Sequence, residues 1–569
     1  MPSTSLTRLS RSILMLTFSV LWMGCSSSTD SADMVLHNGK VVTVDRAVPD
    51  GEAVAIKDGR ILAVGSNAEI DAYIGSGTEV IDLEGQLAIP GFIDSHVHFS
   101  GIGEGQLQLN LMDVANWDEV VERVAAAVAE AEPGVLITGR GWHQEKWDRV
   151  PEPNVDGLPF HHSLSAVSPE NPVILGHASG HAAYANALAM EMSGIDASTP
   201  DPSGGEIVRD AQGNPIGAFR EYAQRLLGPA EAKATPTDPR EVMRLAVAEV
   251  LSKGITSVHD AGVGWETIDL YKEMVDAGEL GMRMNAMIRL PNDDLRENFP
   301  RYKTDNYGDH NLRVSTIKIS IDGALGPHGA WLLEPYEDMP SSSGLNTAPV
   351  PDVEGAAQVA ADLGLQLAIH AIGDRANRES LDIMEAAFEA AGGLTDRRWR
   401  IEHSQHIHPD DIPRFGELGV IPSMQGIHCT SDAPYVLERL GAERAEEGAY
   451  VWQKLMANGS IIPNGTDAPV EDVSALASYY ATVSRVLKDG SVFFPDQRMS
   501  RMEALESYTI NGAYTSFEEE IKGTLTPGKL ADITVLSKDI MTIPEAEIPT
   551  AEVVYTIVGG EVKYQRGAH

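Results

Sequence analysis

Eight short apolar runs punctuate the sequence, at 87–93, 254–261, 282–290, 315–322, 365–370, 399–403, 420–424 and 461–467. Helical patterns such as 377–391 and 450–457 separate several of them. Strands that alternate with helices over this length pair in parallel, and eight of them predict a (β/α)8 TIM barrel. Barrel chemistry collects at the C-terminal rim, so the residues that end the runs are the informative ones. Here they are His96 and His98, then Lys318, His370, His403 and Asp467.

The first of these ends reads PGFIDSHVHF from Pro90 to Phe99. In an extended chain, residues two apart project to the same side, so His96 and His98 present their imidazoles together. Four histidines, an aspartate and a lysine on one rim suit one or two divalent ions, with zinc favoured by the imidazole and carboxylate donors. Lys318 is out of place as a cation beside cations. A buried lysine loses its proton readily, and the neutral amine can add carbon dioxide to give a carbamate that bridges two metals.

The two chain ends share another texture. MVLHNGKVVTVD, AVAIKDGRILAVG and TEVIDLEGQLAIPGF are short apolar runs broken by Asn38-Gly39, Asp58-Gly59 and Glu84-Gly85, the first two of them hairpin signals. LTPGKLADITVLSKD and AEVVYTIVGGEVKY repeat the pattern near the other end. Residues 33–92 and 523–566 are therefore expected to form one small β-sandwich domain beside a barrel spanning 93–522. An insertion at about 101–240 follows barrel strand one; it holds an amphipathic helix at 117–131 and is expected to lie over the rim.

Residues 1–25 read as a signal segment. Arg8 and Arg11 precede an apolar run at 13–23, then Gly24, Cys25 and a serine-rich stretch. The run falls short of the roughly 20 apolar residues a spanning helix needs. It is similar to bacterial lipoprotein processing, with Cys25 lipidated, although Trp22 stands where a small aliphatic residue is usual. The expectation is an exported protein, periplasmic or held to the membrane by that lipid anchor alone. Cys429 is the only other cysteine, which leaves no disulfide framework. With 43 basic against 83 acidic residues the net charge is −40, which argues against nucleic acid as a partner.

The ordered motifs resemble those of the metal-dependent amidohydrolase superfamily, in the branch that includes N-substituted formamide deformylase. The resemblance rests on GFIDSHVH at 91–98, GITSVHDAG at 254–262, IKISIDGALG at 317–326, IHAIGDRA at 369–376, RIEHSQHI at 400–407, NGTDAPV at 464–470 and LTPGKLADITVL at 525–536. It implies that His96, His98 and Asp467 hold one metal, that carboxylated Lys318 bridges, and that His370 and His403 hold the second. Asp467 is then also the acid–base residue. Trp142, His143, Trp147, His177 and His181 resemble the branch's substrate-approaching segments, with His143 where the family usually has an acid. His259 and Gln425, at strand ends two and seven, are further substrate candidates, as is Asp432. Glu402 and Gln405 are expected to point away from the site, and Asp322, Asp374 and Arg375 to support the metal-ligating imidazoles.

The implied activity is hydrolysis of a non-peptide C–N bond in a small amide by metal-activated water. Other activities of the superfamily, an N-acyl amino acid deacylase, a dipeptidase or a lactonase, are the alternatives. An acidic substrate would need a basic clamp, for which Arg140, Arg220 and Arg375 are the candidates. A ligand-binding lipoprotein on an inactive barrel is the reading from another class, and a homodimer is compatible with all of them.

Overall fold

A computed structural model describes residues 31–233, 237–393 and 396–568; the signal segment and Cys25 lie outside them. The centre is a parallel barrel of eight strands: β1 (Phe92–Val97), β2 (Ile255–Val263), β3 (Arg283–Ile288), β4 (Leu312–Ser320), β5 (Gln366–Ala371), β6 (Arg400–His403), β7 (Ile421–Gln425) and β8 (Asn464–Gly465). Strands two to eight fall within the expected runs or overlap them. The first does not begin where the sequence suggests. The run at 87–93 is split: Leu87–Pro90 pairs with Ile533–Leu536 and Lys40–Val42 in a flanking sheet, and the chain crosses into β1 at Gly91. A Cβ on Gly91 would come within 2.2 Å of Thr256 Oγ1, so only glycine fits this crossing.

The ring closes through backbone bonds just past β8. Asp467 N–H donates to His96 O (2.8 Å), and His98 N–H donates to Ala468 O (2.8 Å). Asp94 reinforces the seam by accepting from Thr466 N–H (3.0 Å) and Thr466 Oγ1 (2.6 Å). The two ends of the metal-type motif set are thereby tied together by the closure of the barrel itself.

Inside the barrel a small apolar layer of Ala261, Met287 and Ala368 lies among polar side chains, while the main core packs between strands and outer helices. Both chain ends contribute to two flanking sheets. One is built from Met34–His37, Ala53–Lys57, Arg60–Gly65 and Glu79–Asp82; the other joins Leu87–Pro90 and Lys40–Val42 to three strands from Ile533 onward. Arg283 at the start of β3 grips Asp532 with two bonds (2.6 and 2.9 Å), a buried ion pair that fixes this unit to the barrel. The insertion after β1 has its own six-stranded sheet, the helix Trp117–Glu130 and its own apolar clusters.

Candidate metal centre and catalytic site

Six side chains from five strands and a seventh, His428, from the helix after β7 meet at the rim. His96 Nε2 and His98 Nε2 lie 3.5 and 3.4 Å from Asp467 Oδ1. His403 and His428 approach the other carboxylate oxygen, with His428 Nε2 at 3.8 Å. Ligand-type atoms of His96, His98 and Asp467, and separately of His403, His428 and Asp467, all fall within 4.8 Å of one another. His370 sits beside this pair, its ring 4.4 Å from that of His403, with Nε2 facing Asp322 Oδ1 at 3.6 Å. Lys318 is buried on β4, next to β5, which carries His370.

Two backbone features put these groups in reach. Strand alternation would send His403 and Glu402 to opposite sides, but His403 (φ 76°) and Ser404 (φ 44°) leave the extended region. Glu402 therefore stays on the inner face while His403 turns over the rim. Asp467 likewise has φ 57°. Such left-handed conformations in non-glycine residues cost energy, and here they cluster where ligand-type side chains converge.

Glu402 corrects the expectation that it points away. Its Oε2 bonds His96 Nδ1 at 2.5 Å and Arg400 Nη2 at 3.0 Å, with all three side chains fully buried. The His96 bond fixes the ring so that Nε2 faces the site. Arg400 also donates to Ser95 O and Ser423 Oγ and bonds His259 Nδ1 (3.0 Å). His259 is thus enclosed in the barrel under the rim, away from the cleft. Gln425 holds His403 Nδ1 at 2.8 Å and is buried beneath it. Asp322 serves backbone more than imidazole: it accepts from the N–H groups of Ile372, Gly373 and Trp331. Asp374 accepts from Leu333 N–H, and Arg375 lies over Trp331.

The cleft above the metal-type groups is open to solvent. His143, His181, Gln405, Asp432 and Tyr435 line it. His181 bonds Glu221, and His143 stacks on Tyr435. Trp142 and Trp147 do not reach it. Trp142 donates to Leu175 O in the insertion's own core, with Trp147 packed against it, because their apolar rings are needed there. His177 sits one layer back, bonded to Gln144 and Ser179. His428 was absent from the sequence expectation. It occupies the first turn of the helix Gly426–Leu440, directly after β7, where side chains face the rim.

Electrostatics suits cation binding. Burial, and then Lys318 or neighbouring imidazoles, push His96, His98, His370 and His403 well below the ordinary histidine range, so all four are neutral donors. Burial raises Asp467 to about 6 despite the cations near it. Burial also lowers Lys318 to about 8, against the pull of Glu402. Nε2 of His96, His370 and His428 and Oδ1 of Asp467 are buried without a hydrogen-bond partner among the described residues. Such groups are costly unless something pairs with them, and a divalent ion fits this donor set.

A sequence profile described as "Amidohydrolase family" matches residues 79–564. Protein LONG AFTER FAR-RED 3 of Arabidopsis thaliana is 35% identical over 544 residues, covering 94% of this chain and 92% of that protein. N-substituted formamide deformylase of Arthrobacter pascens is 28% identical over 556 residues, covering 95% and 99% of the two chains. Among solved structures, an uncharacterized metal-dependent hydrolase from Pyrococcus horikoshii OT3 superposes with a TM-score of 0.71 at 25% identity, covering 90% of this chain and 99% of the other.

Proposed function

The chain belongs to the amidohydrolase family, and from that premise we propose that it cleaves a non-peptide C–N bond in a small, formamide-like amide. The observation that carries this reading is the set of unpartnered, buried donor atoms around Asp467. His96, His98 and Asp467 would hold one divalent ion, zinc by ligand type, and His370 and His403 a second, with Lys318 as the bridging carbamate. A divalent ion at this place supplies Lewis acidity and makes water acidic enough to ionise near neutral pH.

The chain's own groups do the rest. Asp467, just past the end of β8 beside the ion, would take the proton of the attacking water and return it to the departing nitrogen. Glu402 and Gln425 hold the His96 and His403 rings in place through their Nδ1 atoms. Lys318, lowered to about 8, has enough neutral amine to attack carbon dioxide, forming an N–C bond and releasing a proton. The insertion roofs the cleft, with Lys146 and Glu471 paired at its edge (2.9 Å). Arg8, Arg11, the apolar run behind them and Cys25 support export with a lipid anchor.

A panel of N-formyl amines, N-acyl amino acids and lactones, assayed before and after chelation, tests the reading. Chelator-sensitive turnover of the amides is expected. Turnover confined to lactones would overturn it.

A further inference from the structure

Acid outnumbers base throughout this chain, and the cations around the rim are mostly neutralised. Arg220 pairs with Glu206 at 2.8 Å, Arg439 with Glu145 at 2.8 Å, Lys146 with Glu471 at 2.9 Å and Arg375 with Glu379 at 3.7 Å. Two of the three arginines that the sequence offered as a substrate clamp, Arg220 and Arg375, are thereby occupied. The third, Arg140, donates to Ala178 O and Pro469 O and acts as a strap between the insertion and the loop after Asp467.

Arg289 and Arg225 are different. Among the described residues neither has a carboxylate within 4.0 Å, and both are exposed to solvent. Arg289 is the first residue past β3, its N–H bonded to Val263 O (3.0 Å). Ile288 is paired with Ile317, so Arg289 falls next to Lys318 on the rim. Gly262 between them makes the room: a Cβ there would lie 3.2 Å from Arg289 Cδ and 3.7 Å from Lys318 Cγ. The charge of Arg289 is felt at His98, His370 and Lys318. Arg225 comes from the insertion, its guanidinium 4.1 Å over the Tyr222 ring, close enough for its charge to act on Arg289.

Two like charges held together without a counter-ion are unfavourable. The nearby acids are committed elsewhere, Glu221 to His181 and Asp322 to three backbone N–H groups. We propose that Arg289, with Arg225 beside it, binds a carboxylate carried by the substrate, so that the preferred formamide-like amides are acidic ones, N-formyl and closely related N-acyl amino acids. A guanidinium fork matches a carboxylate in plane and charge. With that end held at β3, the amide lies across the rim toward Asp467. This rests on the amide-hydrolase reading and adds the charge of the substrate to it.

The test uses the metal-loaded full chain and matched pairs, each N-acyl amino acid against its carboxamide, which differ only in the charge. The wild-type protein should favour the acid in kcat/KM by about 10- to 100-fold, the range of a charge-assisted bond. Arg289→Gln and Arg225→Gln should each cut that ratio, through KM for the acid, and Arg289→Lys should restore part of it. Calorimetric binding of the same pairs gives a readout apart from turnover and should show the same loss. Equal handling of acid and carboxamide by the wild type, or an unchanged ratio in both glutamine variants, would overturn the proposal while leaving amide hydrolysis standing. Binding of the acid with no hydrolysis of any amide would support the clamp and instead refute the amide-hydrolase reading.

Discussion

Replacing Glu402 by glutamine separates what holds the barrel together from what orients its site. Glu402 Oε2 is shared between His96 Nδ1 (2.5 Å) and Arg400 Nη2 (3.0 Å), and Arg400 Nε lies 2.6 Å from Oε1. No solvent reaches these side chains. Glutamine keeps the shape but removes the charge, leaving Arg400 as a buried cation whose remaining partners are Ser95 O, Ser423 Oγ and His259. Breaking a buried pair in this way costs about 3–5 kcal/mol. The same change deprives His96 of an anionic acceptor, and loss of such support typically costs about 10- to 100-fold in metal affinity. Denaturant midpoints of the metal-free protein would read the first effect, and competition with a chromogenic chelator the second. The paired substitution Glu402→Gln with Arg400→Met should recover much of the stability but none of the metal affinity. An unchanged midpoint together with unchanged affinity in Glu402→Gln would refute the role given to this pair.

Other consequences follow from single positions. Gly465→Ala would put a Cβ 2.7 Å from His96 N and 2.8 Å from Asp94 Oδ1; overpacking of this kind costs about 1–3 kcal/mol, and the displaced His96 should weaken metal binding in the chelator assay. Asp532 is held below the ordinary aspartate range, against burial, by Arg283 and by the Gly559 N–H. A carboxyl lowered on folding adds stability that is full above its unfolded value, about 4, and is lost as pH falls through the lower folded value. Denaturant midpoints should therefore drop in acid for the wild type and vary less with pH in Asp532→Asn, which starts lower by about 3–5 kcal/mol. Asn186 bonds Ala189 N–H, Val173 N–H and the Ser168 and Asn171 carbonyls, all within the insertion. Asn186→Ala should cost about 1–3 kcal/mol, detected as earlier proteolysis of the insertion.

Much of this architecture is written in the spacing of the apolar runs, because a parallel barrel demands near-regular strand and helix alternation. His96, His98, Lys318, His370, His403 and Asp467 are legible for the same reason: each lies in the C-terminal part of a run or within a few residues beyond it. What escaped depended on features that periodicity does not carry. Continued strand alternation would turn Glu402 outward, whereas the backbone turns left-handed at His403. The i, i+2 pair of Arg400 and Glu402 was the available signal, since two charged residues on the inner face of one barrel strand can persist only as partners. His428 belongs to a helix, where a strand-end reading does not look. Motif likeness points Trp142 and Trp147 to the site, but the insertion folds around them as its own core. An arginine after a strand is common, and only the lack of a carboxylate partner among the described residues marks Arg289.

The proposed amide hydrolysis depends on a divalent ion held by the groups around Asp467. Amide hydrolysis should be followed while zinc is added back to chelated protein. Activity should be lost on chelation and return in step with added metal until one or two ions are bound per chain, whereas Asp467→Asn should stay inactive at every metal level. Full amide hydrolysis by the chelated wild-type protein would contradict the account.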